Sequence, residues 1–252
     1  MYENEEFNLL QHALNIEDGL GDIDCTKTEK LESFGAVCKA IEWATSSKYR
    51  TVVLDTTDWL ERLIFNQVAT DAGKPNITEI GFGKGYGEAV RKWEYVLGAL
   101  EAARLKGKGI ILLAHARVVR FENPETQAYD RYELDLHKSS SGMLQEWCDE
   151  VLFASFRVFT RTEDQGFGKE RTIALGGKER YIRTNESATA VAKNRLRLPD
   201  ELPMSWAAYA QYLANYQAPK VEEAIAPVLQ EAAEFFGGNI TGMVAGGTSK
   251  VA

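Results

Sequence analysis

Long apolar runs are missing from this sequence. No stretch approaches the ~20 consecutive apolar residues that a membrane-spanning helix needs, so no membrane partner is expected. Positive charge is missing from the N-terminus. "MYENEEFNLL" is acidic where a secretory signal is basic, which predicts a cytoplasmic protein. Cysteine is scarce: Cys25, Cys38 and Cys148 lie far apart and form no CxxC pair. That argues against a disulfide framework and a zinc site, and predicts reduced thiols. Cations are in deficit overall, 29 Lys and Arg against 37 Asp and Glu, giving a net charge of −8. Wholesale binding of nucleic acid is not expected from such a balance.

What is present is the make-up of an ordinary globular protein, 44% hydrophobic and 26% charged. The charge is unevenly placed. Residues 1–36 hold two Lys and nine acids, whereas 157–197 hold ten Lys or Arg and five acids. A basic segment in an acidic chain suits a polyanion-facing surface; a solvated hairpin face with long cationic side chains suits it equally.

Periodicity gives an alternating order of elements. Ala13–Ile16 reads as a short strand ending in Glu17 and a glycine turn. Residues 31–45 carry apolar residues at helical spacing, and Thr51–Leu54 form a buried strand running into Asp55. Trp59, Leu60, Leu63, Ile64 and Val68 make the next helical face. "GFGKGYGEA" is a glycine-rich loop opening a helix from about Glu88 to Leu105, followed by the apolar strand "GIILLAH". Strand and helix in alternation predict an open α/β sheet. The polar stretch 118–136 is too long for a plain connector and reads as functional or mobile. Beyond it come a short helix over 142–149, a long strand "EVLFASFRVFTR", two short strands hinged at Gly176-Gly177, and a helix in "LPMSWAAYAQYLANY". Residues 1–216 read as one core, 217–236 as an amphipathic helix and 237–252 as a disordered tail.

Three strand ends carry chemistry. Glu17, Asp55 and His115 each follow an apolar strand, and open α/β sheets bind ligands where strand carboxyl ends gather. On one edge, Asp55 with Thr56 could hold Mg²⁺ through water, Glu17 could orient an attacking water, and His115 could sense a γ-phosphate. Taken singly, each acid is more often a helix cap or turn residue. The loop "GFGKGYGE" could contact phosphate or serve conformation alone. Lys138, ahead of Ser139 to Ser141, could reach a neighbouring subunit's nucleotide; the serines could instead cap a helix.

The segments "IEDGLGDID", "TVVLDTTDWLE", "GFGKGYGEA", "IILLAHARVVRFENPETQAYDRYELDLHKSSSGMLQEWCDEVLFA" and "AKNRLRLPDELPMSW" together resemble the phage-encoded RecA-like P-loop ATP-binding proteins, linked to single-strand DNA annealing and recombination. The resemblance runs from about Ala13 to Leu213. It implies a RecA-like core, a mainly parallel sheet with antiparallel hairpin additions and C-terminal helices. It also implies ATP and Mg²⁺ as ligands, single-stranded DNA as partner, and a homo-oligomer. By position, Asp55 matches the Walker B acid, Glu17 the water-activating acid and His115 the sensor residue. Residues 117–137 match a DNA-binding loop in which Arg120, Tyr129, Arg131 and Tyr132 would contact phosphates and stack on bases. The departure is the phosphate loop. No GxxxxGK[ST] segment occurs in the 252 residues, and only about a dozen precede "NIEDGLGDID". The expectation is an ATPase core without its phosphate loop, inactive alone. The alternatives are a non-catalytic nucleic-acid-binding or assembly subunit, or a truncated fragment.

Overall fold

The computed structural model describes residues 27–28, 30–164 and 170–215. Glu17, the strand expected at 13–16, and the segments expected at 217–236 and 237–252 lie outside them. The chain divides into two compact units, 1–210 and 211–252. The first carries every element below except the end of the last helix.

Two apolar strands set the frame. β1 (Thr51–Asp55) and β2 (Gly109–Leu113) run parallel, in register from Thr51 opposite Gly109 to Asp55 opposite Leu113. α1 (Phe34–Ser46) precedes β1, with the Ser33 hydroxyl accepting from the Ala36 N–H at its start. α2 (Thr57–Asp71) follows β1 directly, and α3 (Lys84–Leu105) leads into β2. The helices bury stripes at helical spacing: Leu60, Ile64 and Val68 from α2, and Trp93, Val96, Leu97 and Leu100 from α3. Val37 and Ile41 of α1 complete this core, and Val52, Leu54, Ile110 and Leu112 of the sheet pack against it. Each such fully buried side chain stabilises by about 1.5–3 kcal/mol. The Lys108 ammonium donates to the Ser47 and Tyr49 carbonyls, pinning the chain as it enters β1.

The second half is antiparallel. β3 (Ala116–Phe121) pairs with β4 (Tyr129–Leu134), so the polar stretch expected to be a functional or mobile connector is an ordered hairpin. Its strands were hidden because the inward face carries a charged residue, Arg131, among Val119, Phe121 and Tyr129. Residues 189–191 lie alongside β4, with a parallel bridge between Tyr132 and Ala190. α4 (Lys138–Trp147) starts four residues earlier than its apolar pattern indicates. β5 (Glu150–Val151) pairs with β8 (Lys193–Asn194), and β6 (Phe153–Asp164) with β7 (Glu170–Arg183), which also takes β9 (Glu201–Pro203). The Lys193 ammonium donates to the Gln145, Glu146 and Cys148 carbonyls and so caps the end of α4. α5 (Trp206–Asn215) is the last described helix.

Two corrections concern glycines. Gly176-Gly177 is not a hairpin turn. β7 runs through it, and the pairing slips there opposite Arg157. A Cβ on Gly177 would stand 3.2 Å from the Arg157 carbonyl oxygen, so the pair marks a bulge where two backbones approach closely. The loop at 81–87 is a tight 3₁₀ turn, Gly81–Gly83, running into α3, which begins at Lys84 rather than Glu88. Gly83 caps it in the left-handed region at φ 69°. The expected parallel sheet with antiparallel additions is present in part. Among the described residues β1 and β2 alone form a parallel sheet, and the other three sheets are antiparallel. The architecture is mixed α/β, with a parallel pair, flanking helices and antiparallel hairpins. Among the described residues no helix is long and apolar enough to cross a membrane.

Gly85 and Gly87 separate packing from mere helix entry. A Cβ on Gly85 would lie 2.7 Å from Ile77 Cγ1, whereas one on Gly87 meets nothing within 4 Å. Gly85→Ala is expected to cost about 1–3 kcal/mol through overpacking. Gly87→Ala should be neutral or stabilise by up to about 1 kcal/mol. Urea denaturation of both variants checks this, as shifted midpoints with unchanged slopes.

Candidate functional site

The carboxyl edge of the β1–β2 pair gathers the polar residues. Asp55 closes β1 with its side chain exposed, beside a half-buried Thr56. Thr56 is the N-cap of α2, and its hydroxyl accepts from the Trp59 N–H at 3.4 Å. β2 ends at Leu113, opposite Asp55, and two residues further comes His115. Asp55 and His115 therefore share one edge, as their positions after apolar strands predict. Glu17, the third member of the expected set, lies outside the described residues.

His115 does not stand alone. Its Nδ1 lies 3.1 Å from both carboxylate oxygens of Asp58, and its backbone N–H donates to Oδ1 at 3.3 Å. The Asp58 side chain is 10% exposed and the His115 side chain 72% exposed. Burial of Asp58 favours its neutral form, but hydrogen bonds from Thr56 and His115 outweigh this and hold the carboxyl below the ordinary aspartate range. Sequence reasoning missed Asp58. The available signal was an acid in the first turn after a threonine cap, but only the strand register brings His115 to it.

One turn on, Glu61 is buried. Its Oε2 accepts the His137 N–H at 2.7 Å. The His137 ring stacks on Tyr86, with centroids 4.3 Å apart and planes 6° from parallel, and Tyr86 meets Phe65 edge-on. His137 Nδ1 also accepts from the Ser139 N–H, so a histidine rather than a serine caps α4. Ser140 and Ser141 are buried, while Lys138, the first residue of the helix, is exposed. Tyr86, Gly85 and Gly83 thus have conformational and packing tasks, which account for much of the glycine-rich composition there.

The residues read as DNA contacts divide between the hairpin's two faces. Arg131 is 7% exposed, reaches Glu186 at 3.0 Å and Glu133 at 3.7 Å, and lies over the Phe121 ring. These contacts make it an internal anchor of the hairpin. Tyr129 is half-buried against Phe121. Arg120 is exposed and faces Asp130 across the strands at 3.5 Å. Tyr132, 43% exposed, and Val118, 58% exposed, form a pair on the outer face. Four of the ten Lys and Arg over 157–197 are paired with carboxylates. Arg157 pairs with Glu179 and Glu201, Arg161 with Glu163, Arg183 with Glu201 and Arg195 with Asp149.

A parallel strand ending in an exposed acid, a following helix capped by threonine, and a polar residue closing the neighbouring strand lie at the carboxyl edge where open α/β sheets bind ligands. Residues 11–196, well over half the chain, match the AAA domain. The chain belongs to the AAA-domain family. No curated protein and no solved structure matches it. The AAA domain is a P-loop nucleotide-binding domain, so ATP and Mg²⁺ are the ligands the family implies.

The residues of this AAA domain fit a hydrated Mg²⁺. Mg²⁺ keeps several waters and takes one or two carboxylates plus substrate phosphates. Asp55 is exposed at the edge and available, whereas Asp58 is engaged by Thr56 and His115. Among the described residues no group of three or more His, Cys, Asp or Glu could hold a metal by itself, which is compatible with a cation completed by phosphate oxygens.

A carboxyl with a lowered pKa stabilises the fold above its unfolded pKa, and that stability disappears as the pH falls through the folded value. Asp58→Asn is therefore expected to cost about 1–3 kcal/mol at neutral pH. The gap between wild type and variant should close below about pH 4, the ordinary aspartate range. Urea denaturation of both proteins at stepped pH checks it. A gap constant across that range would assign the effect to packing instead.

Proposed function

We propose that this AAA domain is a RecA-like ATP-binding core acting in phage DNA recombination or single-strand annealing, in the host cytoplasm and as a homo-oligomer. The observation that carries the nucleotide reading is the common edge of Asp55 and His115, built by the register of β1 on β2. Asp55, with Thr56 beside it, would hold Mg²⁺ through water. MgATP supplies the phosphoryl group, and the chain's own part is to position and neutralise charge.

The phosphate cradle is the piece that these residues do not supply in the usual form, since no GxxxxGK[ST] segment occurs among them. Each charge-assisted hydrogen bond from such a loop contributes about 1.5–3 kcal/mol. Without three of them, on the order of 5 kcal/mol is lost, more than a thousandfold in affinity. The 252-residue chain by itself should bind MgATP in the millimolar range. Calorimetric titration with MgATP tests this. Weak, Mg²⁺-dependent binding that Asp55→Ala weakens further is expected. Binding indifferent to Mg²⁺ and to Asp55→Ala would overturn the ATP reading. Micromolar binding abolished by Asp55→Ala would overturn only the missing cradle, with "GFGKGYGE" then the segment to examine.

Single-stranded DNA is the partner this reading assigns to the outer face of the β3–β4 hairpin, where an exposed Tyr132 stands with Val118 near Arg120. Base stacking on an aromatic ring contributes about 1–3 kcal/mol. Tyr132→Ala is expected to weaken binding of a labelled oligothymidine roughly fivefold to a hundredfold, read by fluorescence anisotropy. Affinity should also fall as salt rises. Binding unchanged by Tyr132→Ala and by Arg120→Glu would remove the hairpin from the DNA site.

A further inference from the structure

We propose that Asp58 is a positioning residue that fixes His115 as the Nδ1–H tautomer and leaves Nε2 as a hydrogen-bond acceptor. Two observations carry this. His115 Nδ1 lies 3.1 Å from both Asp58 oxygens, and the His115 backbone N–H donates to the same carboxylate at 3.3 Å, so backbone and ring are gripped together. The burial is also lopsided: Asp58 is 10% exposed and His115 72% exposed. The grip is internal and the free end of the ring faces solvent.

The chemistry follows from donor and acceptor counts. An ionised carboxylate only accepts hydrogen bonds. The ring nitrogen that faces Asp58 must therefore carry the proton. In the neutral imidazole the other nitrogen then carries a lone pair. A lone pair accepts from water and cannot donate to a phosphate oxygen. As the neutral ring, His115 therefore takes the role of holding a water by its proton, rather than reporting on a γ-phosphate as a donor. That is the task the sequence assigned to Glu17. A buried aspartate that orients an exposed histidine is a recurrent arrangement in acyl-transfer enzymes, where replacing it by asparagine leaves the geometry but gives the wrong tautomer. The water-holding role rests on the nucleotide reading of this edge. The tautomer does not.

The test is long-range ¹H–¹⁵N correlation on the ¹⁵N-labelled chain at about pH 8, above the ordinary histidine range. His115→Gln identifies the His115 signals among the three histidines, His12, His115 and His137. The expected result is a pyrrole-type Nδ1 and a pyridine-type Nε2 for His115 in the wild type. In Asp58→Asn, with backbone amide spectra otherwise retained, the two shifts should exchange character as the Nε2–H form becomes dominant. A wild-type His115 already in the Nε2–H form overturns the proposal without recourse to any variant. So does an Asp58→Asn spectrum with the pattern unchanged. Adding MgATP to the same samples separates the two readings. The Nδ1–H pattern with no response of the His115 signals to MgATP supports the positioning role and counts against the nucleotide site alone.

Discussion

Two buried carboxylates on one helix hold this fold together at its working edge. Asp58 and Glu61 sit one turn apart near the start of α2, and each accepts a backbone N–H from a distant segment, His115 and His137 respectively. Backbone groups at element ends need partners when buried, and here one helix supplies both. Those two residues bracket the β3–β4 hairpin, and the Asp135 N–H donates to the His115 carbonyl to close its base. The end of a parallel strand, the root of a hairpin and the cap of α4 are thus set by two residues one turn apart, Asp58 and Glu61.

The same helix end also sets the candidate site. Thr56 caps α2 and Asp55 closes β1, so the available carboxylate is one residue before the cap and the gripping carboxylate two after it. Their different environments give them different tasks. Exposure leaves Asp55 available to a hydrated cation, while burial and hydrogen bonds from Thr56 and from the ring and backbone of His115 commit Asp58 to His115. Residues 11–196 place the chain in the AAA-domain family, and this division of labour between two nearby acids is how its own sequence equips the edge of the sheet.

Much of the first half was legible in the sequence. Continuous apolar runs gave β1 and β2, and helical spacing gave α1, α2 and most of α3, because these elements are buried on a face that period and length report directly. The second half was less legible for stated reasons. The β3–β4 hairpin hides its inward face behind Arg131, whose charge is met by Glu133 two residues along the same strand and by the distant Glu186. The start of α3 was obscured by its glycines, of which Gly85 relieves contact with Ile77 rather than breaking the helix. Gly176-Gly177 has the composition of a turn and the position of a bulge, and composition alone does not separate the two. The partnership of Asp58 with His115 spans 57 residues and depends on a register no local pattern encodes. The basic segment 157–197 was visible as composition, but the pairing of four of its arginines with Glu163, Glu179, Glu201 and Asp149 is a property of the folded surface.

The hairpin's two roots are both tied to α2, but its tip is not. Its strands are six residues each, and at ~3.3 Å per residue they carry residues 122–128 roughly 20 Å from the helix that anchors them. Chain length at the root is fixed by the two amide contacts, since an inserted residue would pull one of them out of reach. Chain length at the tip meets no such constraint, and exposed loop tips tolerate insertion well. The segment 122–128 is therefore where this AAA domain can lengthen or change its chemistry during evolution while the edge carrying Asp55 and His115 stays as it is.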